Sequence, residues 1–165
     1  AFAQICWDRP EWDLKVVGDG PLRKDLEDQV ESLGIGSRVC IVRTSADIQA
    51  EYQSASIFAL ASLSEGLPMV LLEAQACGLP TVAFDCATGP GEIIIDKKTG
   101  YLVRVRDIIG FSEKLALLMD DSSRRKEMGS EARLNSDRYS EERICTQWQS
   151  LLEDRVSFKI HQSVL

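Results

Sequence analysis

Short apolar runs alternate with amphipathic stretches along most of this chain. Leu14 to Val17 is a short, largely apolar run that ends in Gly18-Asp19-Gly20-Pro21. Leu22, Leu26, Val30 and Leu33 then recur at spacings of three and four, which predicts a helix over 22–33. Pro21 suits the start of that helix and Gly34 its end. Further strands are predicted at Val39 to Val42, Ile57 to Ala61, Thr81 to Phe84 and Gly100 to Val103. Helical stretches fall between them at Ala46 to Gln53, Pro68 to Cys77 and Glu92 to Asp96. After Arg106 the pattern is helical: Ile108 to Met119, Ser122 to Ser136 and Glu141 to Arg155.

Strands this short and apolar on both faces predict a buried parallel sheet. Repeated strand-loop-helix units predict a doubly wound, Rossmann-like α/β fold. Ligands of such folds bind beyond the carboxyl ends of the strands, where the glycine-rich loops of this chain lie. The chain opens on Phe2, Ile5 and Cys6, the pattern of an amphipathic helix end. It is therefore expected to enter its first βα unit partway and to lack its first strand. The expected organisation is a lead-in over 1–13, a main domain over 14–138, a terminal helix over 139–156 and a tail over 157–165.

Composition narrows the function. No apolar run approaches the ~20 residues of a membrane-spanning helix. The N-terminus has no basic n-region, so it does not read as a secretory signal. A net charge of -7 argues against broad nucleic-acid binding. The five cysteines contain no C-x-x-C pair, and metal-site spacing is absent. They read as free thiols of a reducing compartment. The only histidine is His161, in the tail, which disfavours Ser-His-Asp or Cys-His hydrolysis.

The chemistry concentrates in Ser64 to Pro80, SEGLPMVLLEAQACGLP. Gly66 permits a tight turn and close backbone approach. Pro68 fixes a first helical turn and gives up only an N–H without an intrahelical partner. The amides of Gly66, Leu67, Met69 and Val70 should then be free and, with the helix dipole, suit an anion such as a pyrophosphate. Glu65 stands just before that site, either as an ordinary helix-start carboxylate or beside a bound ligand. Glu73 lies in an otherwise apolar or small run. It is either a solvated surface carboxylate or one with a dedicated partner, for which vicinal ribose hydroxyls would serve.

Glu65 and Glu73, with seven residues between them, resemble the E-x7-E signature of retaining glycosyltransferases of family 4, which have the GT-B fold. Four further motifs are similar in order and spacing: Val17-Gly18-Asp19-Gly20-Pro21-Leu22, Ala55 to Ser62 (with Ala61 where the family usually has Pro), Gly89-Pro90-Gly91-Glu92-Ile93-Ile94, and Thr99-Gly100-Tyr101-Leu102-Val103. The resemblance covers roughly Trp12 to Glu153. It implies the C-terminal, nucleotide-sugar-binding half of a GT-B enzyme. That enzyme would transfer a sugar from a nucleotide-diphosphate sugar, expected to be a UDP-sugar, to a hydroxyl in polysaccharide or glycolipid synthesis. By resemblance, Glu65 is the catalytic carboxylate at the donor sugar and Glu73 binds the ribose. The stretch Gly66, Leu67, Pro68, Met69 and Val70 holds sugar and diphosphate. Gly18, Gly20, Arg43, Thr44, Thr88 and Gly89 line the donor pocket, with Arg43-Thr44-Ser45 flanking the base. A Gly commonly sits in the loop where this chain has Val42-Arg43.

The resemblance also implies no metal or other cofactor and no nucleic-acid partner. It implies a cytoplasmic enzyme, the parent protein associating peripherally with the inner face of the membrane. Two basic residues that neutralise the pyrophosphate, and the acceptor domain, would precede residue 1. The 165 residues alone would then bind donor weakly and transfer nothing. The terminal helix, with Ile144, Trp148, Leu151 and Leu152 at helical spacing, would either pack on its own domain or cross to the missing one. Other enzymes of related fold, such as an epimerase or a glycan phosphorylase, and a non-catalytic partner-binding domain remain as alternatives.

Overall fold

A computed structural model describes residues 1–44 and 46–162, with side chains through residue 153. Ser45 and the side chain of His161 lie outside the described set. The element order is β1 (Leu14–Val17), α1 (Arg23–Ser32), β2 (Val39–Val42), α2 (Ile48–Ser54), β3 (Phe58–Leu60), α3 (Met69–Ala76), β4 (Thr81–Asp85), α4 (Pro90–Ile93), β5 (Gly100–Arg104), α5 (Ile108–Asp120), α6 (Ser122–Ser136) and α7 (Glu141–Gln162). Three short 3-10 turns fall at Phe2–Gln4, Gly36–Arg38 and Asp137–Tyr139.

Every strand pair is parallel, as the alternation of elements requires. The strands form two sheets, β1-β2 and β3-β4-β5. In the second sheet, β4 is buried along Thr81 to Phe84 because both of its faces are covered. Val82 and Phe84 join Tyr101, Val103, Phe111, Leu115 and Leu118 on one face. Ala83 meets Leu71, Leu72 and Ile93 on the other. Successive strand residues point to opposite faces, so a strand covered on both sides must be apolar throughout.

The first sheet is different. Lys15 and Cys40 are exposed, so β1 and β2 are covered on one face only. The apolar stripe of α1 is also largely in solvent: Leu22, Leu26 and Leu33 are exposed, and only Val30 packs against the main core. Phe2, Ile5 and Cys6, at the chain's opening, are buried in the main core as a 3-10 turn rather than a helix end. Arg38 fastens this lead-in, pairing with Asp13 at 2.9 Å and donating to the carbonyls of Cys6, Arg9, Pro10 and Trp12.

Two further boundaries differ from the sequence reading. The turn expected at 92–96 begins earlier, at Pro90, because proline pre-sets the first helical φ. The last helix continues past Arg155 to Gln162, and Trp148, Leu151 and Leu152 are exposed rather than packed on this domain.

Helix α3 is held from behind by a buried polar network. Gln75 is fully buried. Its Nε2 donates to Thr99 Oγ1 at 3.4 Å, and its Oε1 accepts from Asn135 Nδ2 at 3.0 Å. Asn135 Nδ2 also donates to the Ile93 carbonyl at 2.7 Å. Helix α6 approaches α3 through two glycines: a Cβ on Gly129 would lie 2.2 Å from the Gly78 carbonyl oxygen. Gly129→Ala should therefore destabilise the fold by about 1–3 kcal/mol, the usual range for overpacking. Gly36→Ala, where a Cβ meets open space, should change stability little. Urea midpoints of the two variants check this.

Candidate functional site

The chain leaves β3 at Leu60, turns through Ser62 to Leu67 and enters α3 at Met69. Pro68 takes the N-cap position and has no side chain that could accept from the first turn. Among the described residues, the amides of Gly66, Leu67, Met69 and Val70 donate to no protein acceptor; the first amide of this turn to find one is Leu71, on the Pro68 carbonyl at 3.0 Å. Leu67, Met69 and Val70 expose their side chains around these donors, while Leu71, Leu72, Ala74 and Gln75 bury the opposite side of the helix. The helix start therefore leaves several backbone donors without a protein acceptor beside the positive end of the helix dipole, an arrangement that can take an anion.

The loop after β4 closes against this turn. Thr88 Oγ1 donates to the Glu65 carbonyl at 2.5 Å. Gly89 has φ +94°, and a Cβ there would sit 2.5 Å from the Gly66 carbonyl oxygen and 2.7 Å from Pro68 Cδ. Only glycine fits both that backbone conformation and that contact. Glu65, Gly66, Pro68, Thr88 and Gly89 thus form one packed unit. Glu65 is half-buried.

Glu73 lies further along the same helix and is exposed. One of its oxygens is nevertheless held: Tyr52 of α2 donates its hydroxyl to Glu73 Oε2 at 2.9 Å. The other oxygen has no protein partner among the described residues. Tyr52 is buried, packs with Ala74, Leu79 and Phe58, and meets the Phe58 ring edge-to-face at 5.7 Å. Burial, reinforced by the hydrogen bond to the Glu73 carboxylate, pushes the Tyr52 phenol well above its ordinary value. The sequence reading missed Tyr52. Its signal was a lone aromatic on the short helix preceding β3, with nothing in its spacing to tie it to Glu73.

The remaining predicted residues form a second group. Gly18 continues β1, donating to the Val42 carbonyl at 3.0 Å. Asp19, between Gly18 and Gly20, faces Arg43 at 3.8 Å, an exposed pair worth little in itself. Thr44 is exposed beside it. Among the described residues no hydrogen bond or ion pair joins this group to the α3 unit; the link is α2, whose Glu51 pairs with Lys15 of β1 while its Tyr52 holds Glu73. Two clefts lie away from both groups. One, of about 430 Å³, is lined by Lys97, Lys98, Lys114 and Arg124 with Glu127 and Glu131. The other, of about 550 Å³, lies between α1 and the outer edge of β2.

The sequence profile described as "Glycosyl transferases group 1" matches residues 1–135. The chain belongs to the group 1 glycosyl transferases. Its fold is that of the Rossmann-like C-terminal half of GT-B glycosyltransferases. An exopolysaccharide phosphotransferase of Streptomyces coelicolor is 37% identical over 158 residues, covering 95% of this chain and 17% of that protein. The amylovoran biosynthesis glycosyltransferase AmsD of Erwinia amylovora is 38% identical over 141 residues, covering 86% of this chain and 40% of its own. A TarM variant of S. aureus, solved with fondaparinux, α-GlcNAc-glycerol and UDP, superposes with a TM-score of 0.85 at 25% identity. That match covers 90% of this chain and 30% of TarM. The chain thus spans well under half the length of these relatives.

In this group 1 domain, the Tyr52 environment has a measurable consequence. In the unfolded chain the phenol ionises near pH 10. In the folded chain it resists ionisation, so its stabilising contribution is intact below that pH and is lost as pH rises above it. Between pH 10 and 11, wild-type stability should fall more steeply than that of Tyr52→Phe, by roughly 1 kcal/mol per pH unit. Urea unfolding of both proteins across that range measures the difference.

Proposed function

We propose that this chain forms the donor half of a retaining glycosyltransferase of family 4 that uses a UDP-sugar and extends a polysaccharide or glycolipid. The observation that carries the reading is the start of α3, where the unpartnered amides of Gly66, Leu67, Met69 and Val70 lie between Glu65 and Glu73. The diphosphate sits on those amides, where the helix dipole supplies about half a positive charge. Glu65 accepts from the hydroxyls of the donor sugar. Glu73 accepts from the ribose. Thr88 and Gly89 close the pocket on one side, and Gly18, Gly20, Arg43 and Thr44 flank the nucleoside on the other. The exopolysaccharide in the name of the Streptomyces coelicolor relative and the UDP bound by TarM both favour this reading.

In the transfer step the bond between the anomeric carbon and the diphosphate oxygen breaks, and its electron pair leaves with the UDP. The acceptor oxygen bonds to the anomeric carbon on the same face, and its proton passes to the departing diphosphate oxygen. Charge builds on the leaving diphosphate, and donors fixed before the reaction stabilise it without reorganisation. The carbohydrate passes through an oxocarbenium-like state, which a carboxylate beside the sugar favours. Further basic residues and the acceptor site come from a domain outside these 165 residues. Leu67, Met69 and Val70 at the start of α3, and Trp148, Leu151 and Leu152 of α7, are exposed apolar side chains that suit contact with it.

Calorimetric titration should show UDP binding more tightly than GDP. Glu73→Gln should weaken UDP by about tenfold, the scale of a hydrogen bond to a charged group, while Glu65→Gln leaves UDP affinity nearly unchanged. Equal affinity for UDP in wild type and Glu73→Gln would defeat the reading. The 165 residues alone should give no measurable transfer of a radiolabelled sugar from UDP-hexose.

A further inference from the structure

We infer that Tyr52 is a positioning residue for nucleotide recognition: it pins one oxygen of Glu73 so that the other stays presented to the ribose. The inference rests on the reading of Glu73 as the ribose carboxylate and adds to it the element that makes the carboxylate selective.

A glutamate on an exposed helix surface ordinarily samples several rotamers, and freezing it has an entropic cost. A ligand that must order such a side chain loses affinity accordingly. Glu73 avoids most of this cost. Its Oε2 is fixed by the Tyr52 hydroxyl at 2.9 Å, and the tyrosine is itself fixed: its ring is buried against Ala74, Leu79 and Phe58. The hydroxyl's proton has no competing protein acceptor among the described residues, so it is committed to Glu73.

The geometry leaves the carboxylate half used. A carboxylate has about four lone-pair sites; Tyr52 occupies one, and Oε1 is open. A vicinal diol can therefore place one hydroxyl on Oε1 and the second on a remaining lone pair of Oε2, in a direction set by Tyr52. A ligand with one hydroxyl gains only part of this. Tyr52 thus sets the preference for ribose over deoxyribose, although it touches no ligand atom. The same helix carries Glu51, which pairs with Lys15 of β1, so the orientation of Glu73 is referred to the first sheet as well as to α3.

The test compares UDP with 2′-deoxy-UDP, by NMR or calorimetric titration, on four forms of the chain: wild type, Tyr52→Phe, Glu73→Gln and the double variant. Phe keeps the buried ring and removes only the hydroxyl. Wild type should prefer UDP by about tenfold. Tyr52→Phe should bind UDP several-fold more weakly, and its preference should fall towards unity. In the Glu73→Gln background the Tyr52 substitution should have no further effect, because the two act as one unit. The ratio between the two ligands is internal to each protein, so a general loss of packing in Tyr52→Phe, which would weaken both alike, would not mimic the result. Tyr52→Phe with an unchanged ratio, while Glu73→Gln loses it, would overturn the positioning role and leave Glu73 as the ribose carboxylate. A wild type indifferent to the 2′-hydroxyl and to Glu73→Gln would overturn the reading of Glu73, and the role of Tyr52 with it.

Discussion

An isolated helix of eight residues has no stability of its own in water. The start of α3 can offer free amides only because the rest of the domain holds the helix by its other side. Leu71 and Ala74 are fully buried, and Gln75 is wired to Thr99 and Asn135. At its carboxyl end, Gly78 lies against Gly129 of α6, where a Cβ on Gly129 would clash with the Gly78 carbonyl. These contacts fix α3 from below and behind. The exposed face and the first turn are then free of structural duty, and that is where the unpartnered donors and Glu73 lie.

The same division explains how the loops behave. The Glu65 turn is not a free loop. Thr88 holds the carbonyl of Glu65, and Gly89 fits against Gly66 and Pro68 at distances that exclude any Cβ. Under the proposed function, a site that places a sugar, a diphosphate and a ribose along one helix gains from such rigidity, since each group ordered beforehand is a cost removed from binding. The second group, Gly18, Asp19, Gly20 and Arg43, is tied less tightly. It stands on a sheet of two strands covered on one face, and an exposed ion pair is its main tether. Under the proposed function the diphosphate and ribose contacts are pre-formed, while contacts to the base depend more on what packs around β1 and β2.

Much of this was legible in the sequence. Gly66 and Pro68 before an apolar run announced α3 and its open first turn, because proline and glycine have few other uses at those positions. The parallel strands followed from their lengths and apolar character. What could not be read depended on contacts between distant positions. The hydroxyl of Tyr52 reaches Glu73 across 21 residues. The amide of Gln75 meets that of Asn135 across 60, so nothing local to Gln75 marks the buried polar network. The stripe of Leu22, Leu26 and Leu33 reads as a core face by its period, yet those leucines are exposed, because period reports that a helix is amphipathic and not whether a partner surface covers it.

Under the proposed function, the first turn of α3 holds the diphosphate of a nucleotide sugar. Amide hydrogen exchange in the presence and absence of UDP tests it most directly, because the donors in question are backbone groups and exchange reads each of them in place. The account predicts that UDP slows exchange at Gly66, Leu67, Met69 and Val70 and leaves the amides lining the Lys97–Lys114 cleft unchanged. Protection confined to that cleft, or no protection at the start of α3 at saturating UDP, would contradict it.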